Sequence, residues 1–150
     1  MLESATRRSQ PPGPIPAFRV LNVSQNRLHQ LWLLVGWLLV LAIVYESLTP
    51  SPVELQVEQG DKFLHAAAYL VLMSWFSNIY EGARERLISA VGCVALGVAM
   101  EFAQLLTDTR TFEVTDMVAG ATGVLIAWLL APPRLPNYLK LVERALGARR

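Results

Sequence analysis

LISAVGCVALGVAMEFAQLL, residues 87–106, is the stretch whose reading decides how this chain folds. Its length suits a helix that crosses about 30 Å of hydrocarbon, which takes roughly 20 residues. Within it, however, stand Glu101 and Gln104. An ionised group at membrane depth costs at least ~2.5 kcal/mol unless it is paired or wet, so a carboxylate here calls for partners.

Three further apolar runs surround it: 31–48, 63–80 and 114–131, the first stopped by TPSP and the last by Pro132 and Pro133. Of the 150 residues 53% are hydrophobic and 17% charged, and the mean hydropathy is +0.38. A soluble domain of this size lacks the interior to hide four such helices, so the excess apolar surface asks for lipid. The sequence therefore predicts an all-α integral membrane bundle of four transmembrane helices. Residues 1–30 read as a disordered, proline-rich head, because SQPPGPIPAF at 9–18 removes donors and fixes φ. Residues 31–131 form the membrane domain, and 132–150 a basic tail. LPNYLKLVERALGARR, 135–150, places Leu139, Val142 and Leu146 at helical spacing, which predicts an interfacial helix.

Arg7, Arg8, Arg19 and Arg27 precede the first run, Arg84 and Arg86 divide the second from the third, and Arg134, Lys140, Arg144, Arg149 and Arg150 follow the fourth. The other two connections hold only Lys62 and Arg110. Basic residues stay on the cytoplasmic side, so both termini are expected there. A net charge of +1 offers no field for nucleic acid. The single cysteine, Cys93, permits no internal disulfide, and its apolar setting reads as packing.

Under this topology the polar residues meet at one depth near the outer interface. Asp61, Lys62 and His65 open the second helix, Glu101 and Gln104 lie near the end of the third, Arg110 is in the following loop, and Asp116 opens the fourth. Asp61, His65 and Tyr69 share a helix face at i, i+4 and i+8. Asp116, Gly120 and Gly123 form a narrow stripe that lets another helix approach closely. Structural readings stand beside this one. Asp61 and Asp116 suit helix caps, Lys62 can snorkel, Tyr69 can pack, and Glu101 can pair with Arg110 or Lys62.

These residues carry a family resemblance. SLTPSP, D-K-x-x-H-x-x-x-Y at Asp61, Lys62, His65 and Tyr69, E-x-x-Q at Glu101 and Gln104, Arg110, and DMVAGATG from Asp116 follow in order. Together they resemble the VanZ-like membrane proteins from about Tyr45 to Leu130. Gly120 stands where the family pattern has asparagine, and Thr109 where it has glycine. The resemblance implies a multi-pass protein of the bacterial cytoplasmic membrane, in a family named for a factor associated with teicoplanin, a glycopeptide antibiotic.

The leading functional expectation is a pocket of Asp61, Lys62, His65, Tyr69, Glu101, Gln104, Arg110 and Asp116 that holds a lipid or envelope-precursor headgroup, with Lys62 and Arg110 near phosphate. The alternative is a structural module whose polar cluster ties helices together. An enzyme is the weaker reading, since H-E-x-x-H, G-x-S-x-G and cysteine–histidine pairings are missing. His65 with Glu101 or Asp116 would be its acid–base pair or ligand set. No cofactor and no metal are expected. Partners are membrane lipid, an envelope precursor or a glycopeptide, and a transport role would require a homo-oligomer.

Overall fold

The computed structural model describes residues 18–50, 59–107 and 111–147, with side chains in the first helix from Arg27 onward. The described residues form five helices and no strand: α1 (Phe18–Leu48), α2 (Gly60–Ile79), α3 (Ala83–Gln104), α4 (Val114–Leu130) and α5 (Tyr138–Gly147). The expectation of a disordered head through residue 30 is corrected here, because α1 begins at Phe18, just beyond Pro16. Residues 18–30 contain neither proline nor glycine. Once the apolar run nucleates a helix, each added residue gains a hydrogen bond at little cost. Residues 1–17 lie outside the described part.

By length and composition, Arg27–Leu48 and Ala83–Gln104 can each cross a membrane. Helix α4 is apolar but has 17 residues, and α2 interleaves its apolar positions with His65, Ser74, Ser77 and Asn78. The distribution of surface is the reverse of what water imposes. Trp37, Leu41, Ile88 and Val91 are each more than 60% exposed, while Ser47, Ser77, Asn78, Glu101 and Gln104 are buried.

The four long helices run alternately up and down. Helices α2 and α4 pack most extensively, and small residues make this possible. A Cβ at Gly123 would collide with the Ala66 carbonyl and reach Leu70 N at 3.0 Å, so the two backbones touch. At Gly120 a Cβ would lie 2.9 Å from the Tyr69 ring, so any side chain there would displace that ring. Leu72, Met73, Cys93, Val124 and Ala127 complete the core.

The two ends differ. At one, α5 docks across the bundle: Asn78 Oδ1 accepts from Tyr138 N at 3.0 Å, and Asn137 Nδ2 donates to Asn78 O at 2.8 Å. Trp32 Nε1 donates to Glu143 at 3.1 Å, Trp75 Nε1 donates to Trp32 O at 2.9 Å, and Leu139 is buried. Arg86 ties α3 to the end of α4 through the Pro132 carbonyl. The other end, formed by the starts of α2 and α4 and the ends of α1 and α3, gathers the carboxylates.

Candidate functional site

Three helices build this end. Helix α2 offers Asp61, Lys62 and His65 in its first two turns, α3 offers Glu101 in its last, and α4 offers Asp116 in its first. Glu113, at the cap position of α4, completes the set. The side chains of Asp61 and Asp116 do not cap. The cap positions are Gln59 and Glu113, neither with a side-chain cap bond, and both aspartates stand inside the first turn. There they still meet the positive end of the helix dipole.

Ligand atoms of His65, Glu101 and Asp116 lie within 4.8 Å of one another. His65 Nε2 is 3.2 Å from Asp116 Oδ2. Glu101 is 2% exposed, and its Oε2 accepts from the Glu113 backbone N at 2.9 Å. That bond holds the start of α4 against the end of α3.

Lys62 lies over this group and bridges α2 to α4. Its Nζ is 2.7 Å from Asp61 Oδ2, 2.9 Å from Glu113 Oε2 and 3.3 Å from Asp116 Oδ1. The last contact is an ion pair without a directed hydrogen bond, and Oδ1 has no other partner among the described residues. Of the three donors of an ammonium, one goes to Asp61 and one to Glu113, and Asp116 adds charge without a directed bond. Hydrogen bonding to Lys62 holds the Glu113 and Asp61 carboxyls below their usual range, and Asp61 with Glu113 raises the Lys62 ammonium. The Lys62–Glu101 pair of the alternative reading is not formed; Lys62 reaches the carboxylates of α2 and α4 instead.

Two expected site residues lie apart from this centre. Gln104 is buried and donates from Nε2 to Ser47 O at 3.0 Å, so it fastens α3 to α1. Tyr69 is 3% exposed, one turn below His65, wedged between Gly97 and Gly120, and its hydroxyl has no hydrogen-bond partner among the described residues. Arg110 lies outside the described residues. Glu113 is the participant that the sequence reading missed, because a glutamate in a polar connection raises no alarm. Its position three residues before Asp116 was the available signal, since an acid at a helix start favours the free amides.

An apolar cavity of about 510 Å³ lies elsewhere, between α1, α2 and α3, against Trp37, Leu72, Phe76 and Cys93. It shares no residue with the polar cluster.

The VanZ/LLP1 family model matches residues 14–136, which include α1 to α4 and every residue of the cluster. No curated protein and no solved structure matches the chain.

Proposed function

The chain belongs to the VanZ/LLP1 family, and from that membership we propose a multi-pass protein of the bacterial cytoplasmic membrane that binds the headgroup of an envelope lipid at its outer face. In this reading α1 to α4 all span, both termini are cytoplasmic, and 49–62 and 107–113 face outward. The inverted surface supports lipid as the solvent, and the placement of basic residues supports the orientation.

One observation carries the binding role. Glu101 is a carboxylate with 2% exposure, one backbone hydrogen bond and no cation paired to it among the described residues. Such a group is costly to keep at membrane depth, which favours a function that uses it. Lys62 is engaged by three carboxylates. A headgroup phosphate would therefore need Arg110 or a further cation in addition to Lys62. The family's association with teicoplanin extends the proposal: a strain that lacks the protein should change in glycopeptide susceptibility.

A structural reading is favoured by a different observation. The bonds Lys62–Glu113, Glu113–Glu101 and Gln104–Ser47 each join separate elements. Purification in a mild detergent followed by lipid mass spectrometry separates the two. A retained envelope lipid that is lost in Glu101→Gln at normal abundance supports binding. No retained lipid, with variants that vanish from the membrane, supports the structural module.

A further inference from the structure

The cluster holds more negative than positive charge. Asp61, Glu101, Glu113 and Asp116 face one ammonium, Lys62, among the described residues. Lys62 touches three of these four, and the buried one, Glu101, is left out. Glu101, 2% exposed, takes one hydrogen bond, on Oε2, and Asp116 Oδ1 is buried with no hydrogen-bond partner among the described residues. A carboxylate can accept about four hydrogen bonds, and burial without them is expensive.

The Glu101 carboxylate stands beside an imidazole and a second carboxylate. His65 comes from α2, Glu101 from α3 and Asp116 from α4, and one ligand atom from each lies within 4.8 Å of the others. Metal–ligand bonds of about 2.0–2.2 Å place ligands roughly 3–4 Å apart. The wider separations among the three thus need to close by about 1 Å, a side-chain adjustment. His65 and Asp116 are already at 3.2 Å.

The geometry points to a divalent metal site of the zinc class, formed by His65, Glu101 and Asp116. One imidazole with two carboxylates suits zinc or manganese better than calcium or magnesium, which take oxygen ligands alone. The Glu113 N–H bond to Glu101 Oε2 orients that carboxylate, as outer-shell partners of metal ligands do. Asp116 would turn Oδ2 to the metal and leave Oδ1 to Lys62. Three protein ligands keep a coordination position open, and an open position on a cation accepts a phosphate oxygen. In that last use the inference rests on the headgroup reading, because the metal supplies the positive charge that Lys62 no longer offers.

The test uses the full chain in mild detergent, equilibrated with Zn²⁺, desalted and measured for bound metal, with Co²⁺ absorption as a report on the ligand set. About one equivalent per chain is expected, and each of His65→Ala, Glu101→Gln and Asp116→Asn should weaken it tenfold or more. His29 is the other histidine of the sequence, so His29→Ala serves as control and should keep the metal. Zinc should also raise the thermal midpoint of the wild type but not of His65→Ala. A wild type that retains no metal overturns the inference, as does metal kept in His65→Ala or lost in His29→Ala. Should a variant not fold, the wild-type stoichiometry and the absence of an imidazole-type Co²⁺ spectrum decide alone. Lipid retained in chelator overturns the metal's part in holding the headgroup and leaves the headgroup reading standing. Metal bound without lipid does the opposite.

Discussion

Glu101 and Gly123 show how a single side chain, or the lack of one, sets this end of the bundle. Glutamine at position 101 keeps an oxygen for the Glu113 amide, so Glu101→Gln should fold at normal abundance and lose the bound headgroup. Alanine removes that oxygen and leaves a part-buried N–H without a partner, at about 1–3 kcal/mol. Thermal unfolding in detergent with lipid retention distinguishes them, and equal stability loss in both variants would contradict the proposal. Gly123 supplies a second comparison. Its Cβ would strike the Ala66 backbone, whereas at Gly97 the nearest atoms, in the Tyr69 ring, are 3.3 Å away. Backbone cannot rotate aside, so Gly123→Ala should cost about 1–3 kcal/mol and Gly97→Ala clearly less. Equal thermal midpoints for the two would refute this. At this scale the sequence was informative wherever charge interrupted an apolar run, as at His65, Glu101 and Asp116. It was silent on Glu113, whose role arises only when the chain folds back over α3, and on the direction in which Gln104 points.

Between elements, Lys62 and Asn78 are the two polar fasteners, one at each end of α2. Lys62 joins α2 to α4 through Glu113. The Glu113 carboxyl is lowered chiefly by its hydrogen bond to Lys62, so its contribution is present above the unfolded value near 4.5 and fades as pH falls through the lower folded value. Lys62 is raised above its ordinary 10.5, so its contribution is complete below that value and fades only as pH rises through the higher folded value. Unfolding in detergent should therefore show a plateau between about pH 5 and 10, with an acid-side decline that weakens in Glu113→Gln. An acid limb unchanged in that variant would show that other groups set it. At the opposite end Asn78 bonds Tyr138 N and is bonded by Asn137. Asn78→Ala should release α5, cost about 1–3 kcal/mol and speed cleavage between α4 and α5 under limited proteolysis. A cleavage rate equal to wild type would show that Leu139 and the Trp32–Glu143 bond suffice. The periodicity of Leu139, Val142 and Leu146 made the tail helix legible, but its seat on Asn78 was not, since a hydrogen bond from a distant helix leaves no local pattern. The start of α1 was hidden for the opposite reason. Propensity alone gave no cause to extend a helix upstream of the apolar run, whereas propagation from a formed helix does.

For the whole molecule, the governing fact is that its polar groups are inside and its apolar groups outside. Leu41, Val91 and Leu125 on three different helices are each more than half exposed, while Glu101 and Gln104 are buried. Such a surface is stable in hydrocarbon, where each polar group must find its partner within the protein. Helix α2, interrupted by polar side chains, and α4, apolar but only 17 residues long, pack against each other most extensively, while the longer α1 and α3 meet the lipid criterion alone. Two helices qualify as spans by length and composition, and four would span only if α2 and α4 cross as a pair. If they do, α5 and the carboxylate cluster lie on opposite sides of the membrane. Arg84, Arg86, Arg134, Lys140 and Arg144 all belong to the α5 side, which the placement of basic residues assigns to the cytoplasm. A fluorescent protein fused after Arg150 should then fluoresce, and a reporter active only outside the cytoplasm should be silent there. The same outside reporter inserted in 49–58 should be active. The reverse pattern would turn the cluster toward the cytoplasm, where an envelope headgroup on the outer leaflet cannot reach it, and the binding role would fall with the topology. Matching signals from both positions would mean an even number of crossings between them, and α2 or α4 would then lie within the bundle without spanning.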